Sequence, residues 1–108
     1  VGIGEISPLA TVFRHGVIPT DRIGKIAASG AVGTICGWFY GVDGKVIPTE
    51  FDDCTLSVSP TVLRSIPTRL GVALHVEKAQ AIRAAIIGGW INAVGLDSET
   101  ADALLRLR

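Results

Sequence analysis

The second half of the chain carries the most regular alternation of apolar and polar positions. Leu70 to Leu74 reads as a strand and Glu77 to Ile87 as a helix ended by Gly88-Gly89. Ile91 to Leu96 reads as a further strand, and a last helix starts at Ser98 with Asp97 as its cap. Strand, helix, strand, helix predicts right-handed crossovers between parallel strands. Strands in such sheets are near-continuous apolar runs, because helices cover both faces. The first half is less even. Val1-Gly2-Ile3-Gly4 has the character of the end of a buried strand, and Thr20 is placed to cap a helix that aligns Ile23, Ile26 and Ala27 and closes at Gly30. Thr34 to Val42 reads as one strand, and Asp43-Gly44 before Lys45-Val46-Ile47 is a strong hairpin signal. Thr55 to Val58 is expected to add a short strand, and Ser59-Pro60 to open a brief helix through Ser65 that Pro67 stops. Pro48 to Asp53 is the candidate flexible segment. Together these elements predict an α/β fold with a mainly parallel sheet flanked by helices.

Composition adds a constraint that the pattern does not show. The chain has 108 residues, 48% of them hydrophobic, and 13 glycines, a share above that of ordinary globular domains. One domain of this size buries only about 60 to 68% of the surface its unfolded chain exposes. The apolar surplus therefore predicts faces that something else covers. With no methionine and an opening at Val1-Gly2-Ile3-Gly4, the sequence reads as a piece of a longer chain. Ten basic and ten acidic residues cancel, and no Lys/Arg run exceeds two, so the charge footprint of a nucleic-acid surface is missing. Neither a membrane span nor a basic leader is read, and the expected location is the cytoplasm. Cys36 and Cys54 lack a metal-binding spacing and are expected as small core residues, not as a disulfide. No metal ligand set and no cofactor are expected.

In an open parallel sheet, ligands bind where strands end and helices begin. Three junctions qualify: Gly2-Ile3-Gly4-Glu5, Ala73-Leu74-His75-Val76-Glu77-Lys78, and Leu96-Asp97-Ser98-Glu99-Thr100. Lys78 is the informative residue, because a cation in the first turn of a helix opposes the macrodipole at a cost of about 0.3 to 1 kcal/mol. A phosphate on the amides of Val76 to Lys78, with the ammonium closing over it and His75 beside it, reverses that sign. The competing expectation is that Lys78 turns into solvent and pairs with Glu77. Asp97 is either a helix cap or an acceptor for ligand hydroxyls, and Arg14 and His15 fall in a segment of loop character. Adjacent Asp52-Asp53 is read as a hydrated pair, not an acid/base couple, and no nucleophile triad or phosphate-binding loop stands out.

The ordered series of short motifs resembles a known family. Val1-Gly2-Ile3-Gly4, Ala31-Val32-Gly33-Thr34-Ile35-Cys36-Gly37-Trp38-Phe39 with Asp43-Gly44, and Ile66-Pro67 before Gly71-Val72-Ala73 come first. Glu77-Lys78-Ala79-Gln80-Ala81-Ile82, Gly88-Gly89-Trp90-Ile91-Asn92, and Asp97 with Thr100-Ala101 and Leu104-Leu105 follow. In order and spacing they resemble the C-terminal half of the sugar-binding domain of SorC-type bacterial transcriptional regulators. The resemblance implies a fold similar to the ribose-phosphate isomerase and glucosamine-phosphate deaminase group, incomplete in this chain, and a phosphorylated sugar or related metabolite as effector. It also implies a dimer or tetramer that meets operator DNA through a separate helix-turn-helix domain absent from residues 1–108. Lys78 matches the family's effector-phosphate lysine, and Arg14 or His15 falls near a basic effector contact. Thr34 stands where the family usually has an acidic residue, which replaces a charged double acceptor with one hydroxyl. Leu74-His75 replaces a glycine pair, and Leu96 a common threonine. Two other classes are weighed against an effector-sensing module. One is a sugar-phosphate isomerase or deaminase, which needs a general base that Thr34 does not supply; the other is an interaction domain without a ligand.

Overall fold

Residues 1–5 join two pairs of strands into one surface. In the computed structural model, which describes residues 1–107, the Val72 amide donates to the Val1 carbonyl at 2.8 Å and Gly2 bridges Val72 in parallel. Val72 belongs to β4 (Leu70–Ala73), which pairs in parallel with β5 (Ala93–Leu96). Two residues further on, β1 (Gly4–Glu5) pairs antiparallel with β2 (Ala31–Ile35), and β2 with β3 (Trp38–Gly41). The order across the surface is β5-β4-β1-β2-β3, so the fold is mixed α/β and parallel on one side only.

The mainly parallel sheet expected from the sequence is thus corrected, and the reason is a connection length. Thr34 to Val42 is not one strand. It reverses at Cys36-Gly37, and a two-residue link permits only an antiparallel pair. Both linking residues have positive φ, 53° and 84°, as a type I′ turn requires. Cysteine is a rare occupant of that conformation, and the bulky residues around it hide the turn. The second turn, at Asp43-Gly44, forms as expected: the Lys45 amide donates to Asp43 Oδ1 at 3.0 Å, and the Ile47 amide to the Phe39 carbonyl at 2.8 Å.

Helix α3 (Pro60–Ser65) starts as predicted, with the Val62 amide donating to the Ser59 hydroxyl at 3.2 Å. Helix α2 (Ile23–Ala28) ends at Gly30, which has φ 97°, but Thr20 is not its cap. Thr20 opens a 3₁₀ turn, Thr20–Arg22, that leads into α2 and follows Pro19. The residues around Arg14 are not loop; α1 (Thr11–Arg14) forms there because Phe13 is buried. Thr55 to Val58 forms no strand. It follows a 3₁₀ turn, Asp52–Cys54, leaves Leu56 fully exposed, and gives the Val58 carbonyl to the Trp38 indole at 2.7 Å. Nor are both cysteines core residues: Cys36 is half-buried, Cys54 is exposed, and both are free thiols. The predicted helix from Glu77 is a 3₁₀ turn, Val76–Lys78, continued by α4 (Ala79–Ile87), and α5 (Ser98–Arg106) closes the chain.

Each face of β1-β2-β3 has its own core. Helix α4 lies across β2, where Gly33 leaves room for Ala81 and the Tyr40 hydroxyl donates to the Ala81 carbonyl at 2.8 Å. Burial pushes the Tyr40 phenol pKa up. Ile3, Ile35, Ile82, Trp90 and Ile91 complete this core. On the opposite face Phe13, Ile18 and Ile26 pack with Ala31 and Phe39. Along β4 burial alternates: Gly71 and Ala73 face the core, while Leu70 and Val72 remain 47% and 50% exposed. The uncovered face predicted from composition is therefore on β4, at exposed Leu70 and Val72.

One contact pins the second turn to α4. The Gly44 carbonyl accepts from the buried Trp90 indole at 2.7 Å and from Arg64 Nη2 at 3.2 Å, with the guanidinium 4.7 Å from the Trp90 ring centre. A Cβ on Gly44 would collide with backbone atoms of Gly88 and Ala84, and φ is 79°. Gly44→Ala is expected to destabilise the fold by about 3 kcal/mol, from overpacking together with a strained φ. Trp90→Phe, which removes the indole donor to the Gly44 carbonyl and leaves a void at a fully buried position, is expected to cost about 2 kcal/mol. Urea unfolding of the two variants checks both the values and their order.

Candidate functional site

Because β1, β4 and β5 run in one direction, the three junctions singled out in the sequence reach the same edge of the sheet. Glu5 ends β1, Leu74-His75 follow β4, and Asp97 follows β5. The 3₁₀ turn Val76–Lys78 packs against both β1 and α5. Lys78 neither turns into solvent nor pairs with Glu77. Its side chain is 24% exposed, and Nζ lies 3.9 Å from Glu5 Oε2, whose side chain is 19% exposed. At 3.9 Å this is an ion pair but not a hydrogen bond. Glu5 Oε1 accepts from the Ser7 hydroxyl at 3.2 Å; Oε2 is buried with no hydrogen-bond partner among the described residues. A buried acceptor left this way costs about 1 to 3 kcal/mol, and more when it is charged.

Glu5 is the residue that sequence reasoning named only as part of a junction and never as a site residue. Its signal was the acidic side chain at the carboxyl end of a glycine-rich strand. Thr34 is placed differently. It pairs with Gly4 and Phe39, whereas Glu5 pairs with Gly33, so the register turns Thr34 to the face opposite Glu5 and Lys78. Arg14 and His15 are exposed at the end of α1, and their side chains make no hydrogen bond or ion pair among the described residues. The amide of Lys78 is already committed to the His75 carbonyl at 3.1 Å, which removes one of the three backbone donors expected to cradle a phosphate.

His75 and Asp97 do come together. His75 is exposed, with φ 86° and ψ 134°, a backbone state that favours glycine. The chain thus keeps a glycine-like bend where the resemblance leads one to expect glycine, at a strain of about 1 to 3 kcal/mol. Asp97 precedes α5 but makes no side-chain capping bond, and its Oδ1 is buried without a partner, as is Oγ1 of the fully buried Thr100. The neighbouring Thr100 hydroxyl is the largest influence holding the Asp97 carboxyl below its usual range, with smaller contributions from the amides of Asp97 and Thr100 and from His75. No hydrogen bond is formed between the two side chains, so the effect is one of proximity. Among the described residues no group of three metal-ligating side chains converges. A cavity of about 210 Å³ between α2 and the Pro48–Phe51 segment does not include Lys78.

Residues 1–106 match the family model described as "Putative sugar-binding domain". The chain belongs to this sugar-binding domain family. Among its relatives is the transcriptional regulator LsrR of Klebsiella pneumoniae, 41% identical over 110 residues, which span 99% of this chain and 34% of LsrR. Among solved structures, a DeoR family transcriptional regulator from Listeria monocytogenes superposes with a TM-score of 0.88 at 26% identity, over 95% of this chain and 42% of the other. The full-length sorbitol operon regulator SorC from Klebsiella pneumoniae superposes with a TM-score of 0.85 at 29% identity, over 98% of this chain and 34% of SorC. This sugar-binding domain chain thus spans about a third of the length of the curated regulator it matches and carries the SorC-type resemblance seen in its motifs.

Two expectations follow from the geometry of the edge. His75→Gly relieves the strained φ and is expected to stabilise the fold by about 1 kcal/mol, read as a higher midpoint in urea. Asp97 has a depressed folded-state pKa, so its contribution to stability is present above the unfolded value and lost as pH falls through the folded one. Thr100→Val removes the main cause and is expected to raise the Asp97 pKa toward the ordinary aspartate range in a carboxyl-carbon NMR titration; an unmoved pKa contradicts the assigned cause.

Proposed function

We propose that this chain is the C-terminal part of the effector-sensing domain of a bacterial transcriptional regulator, and that its effector is a phosphorylated sugar or related metabolite. The observation that carries the reading is Lys78. Its side chain is about three-quarters buried at the edge where three parallel strands end, with Nζ 3.9 Å from Glu5 Oε2 and no hydrogen bond among the described residues. A cation so placed gains most when an anionic group supplies the acceptors it lacks. Family membership over residues 1–106 supports a sugar as the class of ligand.

The remaining parts of the site come from the rest of the protein. Exposed Leu70, Val72 and Leu74 form the surface on which a preceding segment packs, completing the second layer that a parallel sheet needs. In that complete regulator Lys78 meets the phosphate, and His75 and Asp97 line the same edge. Thr34, Arg14 and His15 belong to the binding surface only through neighbouring elements. Effector binding then biases a dimer or tetramer between two states of different affinity for operator DNA, which a separate helix-turn-helix domain contacts in the cytoplasm. No helix among the described residues is long and apolar enough to cross a membrane.

An isomerase or deaminase is disfavoured on chemical grounds. Turnover works best with a general base whose pKa lies near the working pH, and the Asp97 carboxyl is held below the ordinary aspartate range, which makes it a poor base. Titration calorimetry of the intact protein with a panel of sugar phosphates tests the proposal. Lys78→Ala is expected to weaken the best ligand by about 10- to 100-fold, the loss of one charge-assisted contact of about 1.5 to 3 kcal/mol, with an unchanged circular dichroism spectrum. Unchanged affinity overturns the assignment of Lys78.

A further inference from the structure

We infer that a second copy of this chain docks outside the Lys78 site, with Leu56 of each copy entering the cavity between α2 and the Pro48–Phe51 segment of the other. The inference gives the self-association proposed above a surface and does not depend on an anion at Lys78. Its ground is a protruding leucine and an apolar hole carried by neighbouring stretches of chain. Leu56 is fully exposed, so it touches nothing in its own copy. The loop that carries it is braced on both sides: the Thr55 hydroxyl donates to the Phe51 carbonyl at 2.8 Å, and the Trp38 indole to the Val58 carbonyl at 2.7 Å. A side chain presented on a braced loop costs less ordering when a partner buries it. The hole has a volume of about 210 Å³ and takes its apolar lining from Ile26, Pro48 and Phe51. Apolar cavities of about 150 Å³ admit benzene, so the smaller isobutyl group of leucine fits.

Phe51 belongs to both features, since its carbonyl braces the loop of Leu56 and it lines the hole. Knob and hole therefore adjoin, and a two-fold axis between two copies fills both holes at once, the self-complementary pattern of an isologous contact. A foreign protein would have to match the same knob and hole at the same spacing; a second copy has them by construction. The charges agree with this choice. Asp52 is held by the hydroxyl and the amide of Thr49 at 3.1 and 3.2 Å, and Glu50 is paired with Arg22 at 3.5 Å. That leaves Asp53, exposed in the 3₁₀ turn just before Leu56, and Lys25, exposed and lining the hole. Neither side chain makes a hydrogen bond or ion pair among the described residues. Entry of Leu56 carries Asp53 of one copy toward Lys25 of the other, and opposite charges at the rim fix the register of the contact.

Carbodiimide coupling of the intact protein, mixed in equal parts as unlabelled and nitrogen-15-labelled copies, tests the contact. Peptides that join Lys25 to Asp53 are expected to include pairs with one labelled and one unlabelled partner, which only a link between copies produces. Leu56→Asp changes a side chain with no contacts in its own copy, so the circular dichroism spectrum is expected to stay the same. The yield of mixed pairs is expected to fall by about tenfold or more, because a two-fold contact loses both knobs together. Exchanging the charges, Lys25→Glu with Asp53→Lys in one chain, is expected to keep the mixed link within about threefold of wild type. A protein that sediments as a monomer at the coupling concentration overturns the proposal without any variant. So do linked peptides that are absent or never mixed, a yield unchanged in Leu56→Asp, or a link lost on exchanging the charges. The effector reading stands in each of these cases, since none of them touches Lys78.

Discussion

Residues 1–5 hold the molecule's two sheet segments together and bring the parts of its candidate site to one edge. The first two residues complete a parallel ladder with β4, and the next three turn the same strand toward an antiparallel partner. A strand that serves both neighbours must end where its parallel partners end. Glu5 is consequently delivered to the edge where β4 and β5 finish and Lys78 begins α4.

Packing around that strand uses small residues where backbones approach. Gly33 faces Ala81, Gly71 leaves room for Ile3 and Ile91, and Gly44 meets Gly88. These positions let α4 lie close on the sheet, and close approach buries the alanine-rich face of a helix that has few large side chains of its own. The same economy leaves β4 with one covered face. A strand whose alternate residues are leucine and valine in solvent is incomplete by the rule that parallel sheets are covered twice, and that incompleteness agrees with a chain spanning about a third of its regulator relative.

The site is a set of charges and polar atoms brought in from three separate segments and left short of partners. Glu5 Oε2, Asp97 Oδ1 and Thr100 Oγ1 are buried without hydrogen bonds among the described residues, and the Lys78 ammonium lies 3.9 Å from the first of them. Native interiors satisfy nearly all such groups. A concentration of unsatisfied ones along a single edge, next to a backbone bend that histidine tolerates poorly, is the physical ground on which this edge is proposed as the binding edge.

The sequence by itself determined the order of the elements in the second half, the Asp43-Gly44 turn, the Ser59 cap, the family, and Lys78 as the residue to watch. These rest on local rules: periodicity, turn and cap preferences, and the position of a charge on a helix. The reversal at Cys36-Gly37 escaped it, because a bulky apolar run looks alike whether it continues or folds back. The partner of Lys78 escaped it too. Glu5 is 73 residues away in the chain, and only the double pairing of residues 1–5 brings the two side chains together. Which face Thr34 takes is likewise a matter of register, a one-residue choice that no local pattern fixes and that the packed sheet alone decides.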